Sequence, residues 1–461
     1  MMTDKNNLLA DVRRIHFVGI GGSGMSPLAE ILYAKGYALS GSDNNESDNL
    51  NRNRGLGIPV SMGHAAQNIT GADMVVYTAA VAEDNPELVA AREQNVPLVE
   101  RAILLGWITR QFSNTVAVAG THGKTTTTSM LCQILLDGGT DPSIFIGGRL
   151  PAINANGHAG TNDTMVCEAC EFKDHYLEMT PAVSIILNVD ADHLDYFGDL
   201  DGVIRSFNRF AQQTRGAIIY NADDENTRRA VEELSGKQLI SYGLTDGCEW
   251  QAKNVRTVRG SYGQYDLYHN GEHLGEIELG VPGGHNVLNS LAAAAAAALC
   301  GMSFAQIKDG VRAFHGAGRR FEFLGTYAGV TVADDYAHHP TEIIATLEAA
   351  KKLEHDRVWA IFQPFTFSRT VRHLDEFAAA LSIADVAVVS DIMGSREMNT
   401  YGVHSTQITE QIPNGVYLAT FPEIADYVAE RVQKGDLVLT MGGGDVYKCA
   451  RMIIAKLKEK E

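Results

Sequence analysis

Long hydrophobic runs are missing from this sequence. The most extended apolar stretch is the alanine tract within Leu291–Leu299, well short of the ~20 residues that a membrane-spanning helix needs. The opening MMTDKNN is polar and lacks the apolar core of a secretory signal. Positive charge is scarce as well: 38 Lys and Arg stand against 56 Asp and Glu, a formal net charge of -18. With no basic run of useful length, a surface built to neutralise a nucleic-acid backbone is excluded. An anionic ligand must then be held locally, by backbone N–H groups, helix N-termini, a few basic side chains or a divalent cation. Cysteine is also rare, 6 in 461 residues, and without a repeating framework this points to free thiols in a reducing, cytoplasmic setting. Cys167 and Cys170 form a lone C-x-x-C pair, open to zinc or redox use or to plain packing at a strand end.

What is present has the balance of an ordinary folded protein, 45% hydrophobic and 20% charged. At about 100 to 200 residues per domain, the length makes three domains the first expectation. Three α/β series can be traced. The first begins with the β-rich run Ile15–Ile20, continues through glycines into an apolar helical stretch Ser26–Lys35, and carries further strand candidates at Tyr37–Ser40, Met74–Thr78 and Val96–Val99. The second opens with the strand Thr115–Ala119 and a helix reaching Asp137, closed by Gly138-Gly139, with strands expected at Thr164–Glu168 and Ser184–Asn188. A β-leaning, irregular stretch from Trp250 to Leu279 precedes an alanine-rich helix from about Asn286, whose small side chains require close packing. The third series alternates strands near Val330–Ala333, Val358–Phe362, Val386–Ser390, Val416–Ala419 and Leu437–Thr440 with helices, which implies parallel strands with right-handed crossovers. The expected class is α/β in three domains: an N-terminal Rossmann-like domain over 1–113, a central P-loop ATPase-type domain over 114–323, and a C-terminal Rossmann-like domain over 324–461.

Two glycine loops carry the chemistry. Gly19-x-Gly21-Gly22-x-Gly24 follows a strand and opens a helix, so its backbone can approach a diphosphate at a helix N-terminus. Asp43 ends the next strand, where a ribose-binding acid is expected. Alone, this motif suits a nicotinamide enzyme or a purely structural turn. Gly120-Thr121-His122-Gly123-Lys124-Thr125 is more specific, because strand, glycine loop, Lys-Thr and helix occur in the order that cradles ATP phosphates. It is a shortened form, with Val118 where the strict pattern has glycine. Lys124 would contact the β- and γ-phosphates, and Thr125 would offer its hydroxyl to Mg²⁺. Glu168, at a strand end, is the candidate magnesium carboxylate, and His193 in DADHLD a weaker one, since magnesium prefers oxygen.

Taken together, GIGGSGM, GTHGKTTTT, DADHLDYF, GGHNVLNSLAA, GRRFE, DDYAHHPTEI and MGGGDVY resemble the Mur ligases, in family order from residue 19 to residue 447. The resemblance implies ATP-dependent formation of an amide through an acyl phosphate, with ATP and Mg²⁺ required. It implies UDP-N-acetylmuramate as donor and L-alanine as acceptor, a recycled tripeptide being the alternative acceptor, in a cytoplasmic monomer or homodimer. It reassigns the front loop to a UDP diphosphate, with Gly19, Gly21, Gly22, Ser23, Gly24, Met25, Ser42, Asp43 and His64 as substrate-binding positions. Gly120, Thr121, His122, Gly123, Lys124, Thr125, Thr126, Asn286, Asn289, Arg320 and Asp335 would lie at ATP. Thr125, Glu168 and His193 would hold the metal. Tyr336, His338 and Arg369 would lie near the alanine carboxylate or the reacting muramoyl group, in a C-terminal domain that closes over the amino-acid site. Lys124, His193, Arg320, His338 and Arg369 would carry catalysis. Plainer readings remain open at that point: Asn286 as a helix cap, Arg319 and Arg320 as hinge charges, Tyr336–His339 as a polar strand end. Phe365 and Thr366 replace the family's usual histidine and arginine, and Cys170 interrupts the acidic cluster, leaving Glu171 as a helper.

Overall fold

The β-rich runs become strands buried on both faces, because a helix follows each of them and packs back across the sheet. Phe17, Val18, Val75 and Val76 are accordingly shut off from solvent. The computed structural model describes residues 8–79, 81–232, 234–258, 260, 262–395 and 397–460; the opening MMTDKNN read above lies outside them. Two units are distinguished. One contains the chain up to Asn254 with Asp266–Ile277 and Leu288–Phe314; the other contains Val255–Tyr265, Glu278–Val287 and the chain from His315.

The first unit holds two parallel arrangements. Five strands run in the order Val60–Met62, Ala38–Asp43, Arg14–Val18, Met74–Tyr77, Leu98–Glu100, all parallel. Strand order reverses beside Arg14–Val18, so the glycine loop leaves the sheet at a topological switch point, where α/β sheets bind ligands. Farther on, Gln238–Gly243, Ala217–Asn221, Val183–Ile186, Asn114–Ala119, Thr164–Glu168 and Ser143–Leu150 lie side by side in parallel, with Ala155–His158 added antiparallel to the last. Asn114–Ala119 sits between Val183–Ile186 and Thr164–Glu168, so the phosphate loop after Ala119 is flanked by both strand ends. The segment read as irregular consists of three regular strands, Trp250–Val258, Tyr262–His269 and Glu272–Pro282. Inside the alanine helix His285–Leu299, the side chains of Ala292–Ala297 are buried. The helix Phe304–Ala313 meets Lys124–Asp137 so closely that a Cβ on Gly310 would lie 2.6 Å from Ile134 Cα.

In the second unit the order is Glu322–Tyr327, Val330–Asp335, Leu437–Met441, Val358–Phe362, Val386–Val389, Gly415–Tyr417. The five strands expected from alternation are all parallel, as alternation implies. The edge strand Glu322–Tyr327 departs: it pairs antiparallel with Val330–Asp335. The link Ala328-Gly329, with φ of 47° and 77°, is a two-residue hairpin turn, too short for any crossover. No helix among the described residues is long and apolar enough to cross a membrane.

Candidate active site

The front loop is held by its own backbone and by Asp43. Gly19 N and Ile20 N donate to Ser42 O at 2.8 and 3.0 Å, and Gly21 N donates to Asp43 Oδ2 at 2.9 Å. A Cβ on Gly21 would come within 2.9 Å of Ser47 Oγ, so a side chain there has no room. The acid expected to read a ribose is thus engaged in shaping the loop. Ser23 O accepts from Asn156 Nδ2 at 2.6 Å. Met25, assigned to substrate from the motif, turns into the core and is 1% exposed, leaving only its backbone at the loop.

Beneath this loop lies a network that the motifs did not reveal. Glu87, on the helix Pro86–Glu93, has a fully buried carboxylate. It accepts from Ser42 Oγ at 2.6 Å, Asn68 Nδ2 at 2.5 Å and His64 Nδ1 at 3.2 Å, and His16 Nε2 is 3.7 Å away. Burial alone would raise its pKa, but His16, Ser42 and Asn68 outweigh that and hold it at about 2. Two assigned substrate positions, Ser42 and His64, therefore share one anionic anchor. Asn85, which accepts from Glu87 N at 2.9 Å as the helix N-cap, was the available sequence signal, an Asn-Pro-Glu helix start.

The phosphate loop has the backbone its glycines imply. Gly120 and Gly123 take φ of 149° and 85°, and a Cβ on Gly123 would lie 2.7 Å from Asn289 Oδ1, which places Asn289 against the loop. Asn188 clamps the loop: its O and Oδ1 accept from Thr121 N and His122 N at 3.1 and 2.7 Å, and its Nδ2 donates to His122 O at 3.0 Å. Asp190 N donates to Thr121 Oγ1 at 2.9 Å. Thr125 is buried in the first turn of the helix and Thr126 half-buried. Lys124 Nζ donates to Gly120 O at 2.5 Å, Thr121 O at 3.1 Å and Glu171 Oε1 at 3.0 Å. Burial would lower its pKa, yet the charges of Glu171 and Glu168 raise it, so the ammonium stays protonated. Glu171, read as a helper, is thus the direct partner of the loop lysine.

Glu168 ends its strand and accepts from Gly147 N at 2.7 Å. His193, with φ of 53°, packs edge-on against Phe172 at 5.1 Å, beside the Glu171 turn. Among the described residues, no group of three or more His, Cys, Asp or Glu could hold a metal by itself. Magnesium takes one or two protein oxygens and completes its shell with phosphates and water. The Thr125 hydroxyl and Glu168 carboxylate fit that chemistry; the imidazole of His193 fits it less directly. Burial pushes the Cys167 thiol up to about 12 and raises that of Cys170; Cys167 packs in the hydrophobic core, and among the described residues the pair belongs to no group of three or more His, Cys, Asp or Glu that could hold a metal.

The second unit separates two adjacent arginines. Arg319 is structurally committed: Nε pairs with Asp334 Oδ2 at 2.9 Å, while Nη1 and Nη2 donate to Gly444 O and Gly442 O at 2.8 and 2.6 Å. Both arginines lie over the Tyr336 ring, Arg319 at 4.9 Å and Arg320 at 5.1 Å, and the charge of Arg320 is felt by Asp335 and His338. Asp335 accepts from Phe321 N at 2.6 Å and Ala337 N at 2.7 Å. Burial raises its pKa to about 6 against the pull of Arg320 and of these N–H groups. His338 lies against Tyr336 at 5.3 Å, with Nδ1 3.2 Å from Glu342. Burial first, then the charges of Arg369 and Arg320, lower its pKa despite Glu342, so the imidazole is neutral near pH 7. Tyr336, His338, Arg320 and Arg369 are thereby brought together. Thr366, at φ of 66°, starts the helix Phe367–Arg372 that carries Arg369; such a backbone is uncommon for a β-branched residue and marks a constrained turn. Asn286 sits within its helix and donates to Pro282 O at 2.7 Å, which is not the accepting role of an N-cap.

The chain matches the model of the Mur ligase family catalytic domain over residues 14–113, of the Mur ligase middle domain over 118–297, and of the Mur ligase glutamate ligase domain over 319–444. It is 43% identical over 450 residues to the UDP-N-acetylmuramate–L-alanine ligase of Clostridium acetobutylicum, covering 96% of this chain and 98% of that protein. It is 44% identical over 449 residues to the enzyme of the same name from Agathobacter rectalis, with 96% and 98% covered. The crystal structure of the UDP-N-acetylmuramate-alanine ligase of Thermotoga maritima superimposes with a TM-score of 0.85 at 30% identity, over 97% of this chain and all of that one. A murein peptide ligase from Psychrobacter arcticus follows at 0.76 and 26%, over 97% and 99%.

Proposed function

The chain belongs to the Mur ligase family, and from that membership we propose how its residues work. It is an ATP-dependent amide ligase that joins L-alanine to the carboxylate of UDP-N-acetylmuramate, with ADP and phosphate as products, in peptidoglycan precursor synthesis. The observation that carries this reading is end-to-end likeness to L-alanine ligases combined with a protonated Lys124 in a phosphate loop flanked by Glu168 and Glu171. We take residues 1–113 as the UDP-sugar domain, 114–323 as the ATP domain and 324–461 as the amino-acid domain.

In this mechanism the muramoyl carboxylate attacks the γ-phosphorus of ATP, the bond to ADP breaks, and an acyl phosphate forms. Lys124 and the loop N–H groups stabilise the negative charge spread over the transferring phosphoryl group. Magnesium, held by Thr125 and Glu168 with His193 nearby, would neutralise further charge on the phosphate oxygens. Asn188 keeps the loop in shape, and Asn289 supports it at Gly123. The amine of L-alanine then attacks the acyl carbonyl, loses a proton and expels phosphate. His338, neutral near pH 7, is suited to take that proton, and Arg369 to hold the alanine carboxylate. Water must be kept from the acyl phosphate, whose hydrolysis would waste ATP.

The test is phosphate release from ATP with Mg²⁺ and UDP-N-acetylmuramate, comparing L-alanine, D-glutamate and L-Ala-γ-D-Glu-diaminopimelate as acceptors. Release that depends on L-alanine is expected. Release only with the tripeptide would assign the chain to peptide recycling, and release with none would remove the ligase reading.

A further inference from the structure

A cation absent from the assigned substrate positions lies on the front glycine loop. Arg101 opens the helix Arg101–Thr109 directly after Leu98–Glu100, the edge strand of the five-stranded sheet. Its side chain crosses the far end of the loop. A Cβ built on Gly24 would sit 3.0 Å from Arg101 Cδ, 3.2 Å from Nη1 and 3.3 Å from Nε. The guanidinium thus occupies the space that a side chain at position 24 would fill, and Gly24 is what admits it.

The charge of Arg101 is felt by Glu100 and Cys170, but no acceptor closes on its guanidinium. It is half-buried, and among the described residues it makes no hydrogen bond or ion pair. Other cations of the same unit are committed: Arg52 to Glu30 at 2.8 Å, Arg110 to Glu178 O at 2.8 Å, Lys124 to Glu171. The adjacent carboxylate, Glu100, is taken by His175 at 3.1 Å. A partly desolvated guanidinium without a partner is unfavourable unless an anion completes it. Around it, the loop is fixed by Asp43 on one side and Asn156 on the other, so the geometry does not depend on Arg101 for support.

We propose that Arg101 binds the diphosphate of the sugar nucleotide, adding a side-chain fork to the N–H groups of the loop and helix. This rests on reading the loop as the UDP-sugar site. Guanidinium presents paired donors that match two phosphate oxygens, which a lysine at the same place cannot do.

The experiment measures binding of UDP, UDP-N-acetylmuramate and ATP with Mg²⁺ to the full chain by calorimetry. Arg101→Ala weakens UDP and UDP-N-acetylmuramate alike, by roughly 10- to 100-fold, and leaves ATP affinity unchanged. Arg101→Lys recovers only part of the loss. Gly24 does not adopt a positive φ, so Gly24→Ala strains the site only by displacing the guanidinium; it weakens UDP binding too, and adds little once Arg101 is Ala. Retained ATP affinity shows that each variant is folded. Unchanged UDP affinity in Arg101→Ala overturns the proposal, as does a loss confined to UDP-N-acetylmuramate, which would place the guanidinium on the muramoyl carboxylate. Wild-type protein that binds neither uridine ligand refutes the UDP-sugar reading itself.

Discussion

Replacing Glu87 with Gln keeps the shape of the buried network and removes its charge. The native carboxylate is held at about 2 against an ordinary 4.5, a difference worth about 3 kcal/mol of folding free energy. Because the folded pKa is depressed, that stability is present above pH 4.5 and is lost as pH falls towards 2. Glu87→Gln should therefore lower the melting temperature by roughly 5–10 °C at pH 7. The gap should narrow only in buffer more acidic than about pH 5. Differential scanning calorimetry of both proteins on both sides of that pH is the assay. Ser42 and His64 lose their shared anchor in the variant, so KM for UDP-N-acetylmuramate should rise while KM for ATP stays put. A variant as stable as the wild type at pH 7 would refute the reasoning. So would a gap that closes between pH 7 and 5, where a carboxylate of that pKa does not titrate.

At the phosphate loop, Lys124→Ala should abolish ligation while leaving UDP-N-acetylmuramate binding intact, since the Lys124 ammonium bonds to its own loop and to Glu171; turnover in a coupled ADP assay would contradict its role. Glu168→Gln should shift the Mg²⁺ dependence of ATP hydrolysis to concentrations about tenfold higher or more, without a change in melting temperature beyond a few degrees, and an unchanged magnesium titration would remove Glu168 from the metal site.

Much of the layout was legible because strands covered by helices are continuous apolar runs with sharp edges. Thr164–Glu168 and Val358–Phe362 end where hydrophobicity and β-branching end, and the helix Lys124–Asp137 starts and stops at glycines. The edge strands were harder. Glu322–Tyr327 is half exposed, includes a glycine and carries no clean alternation, so it was not marked out as a strand. The stretch after Trp250 mixes polar and apolar residues because its strands are only partly covered. At the site, the loops announced themselves through glycine and the order of elements. Their supports did not: Asn188 reaches the phosphate loop across 66 residues, and for Glu87 the Asn-Pro-Glu start marks the helix but not the partners Ser42, His64 and Asn68. Arg319 and Arg320 are alike in local sequence context, and it takes the fold to bring Asp334 and the carbonyls of Gly442 and Gly444 to Arg319.

The ammonium of Lys124 already has four oxygens around it, two of them from one carboxylate. A nucleotide phosphate that reaches it therefore performs an exchange of anions, not the filling of an empty charge. The affinity measured for ATP is then a difference between phosphate and carboxylate on one cation, smaller than either interaction alone. The displaced carboxylate of Glu171 does not vanish from the balance: it is left beside the triphosphate with a negative charge to satisfy. That gives the nucleotide a reason to arrive with its divalent cation and not as the bare anion.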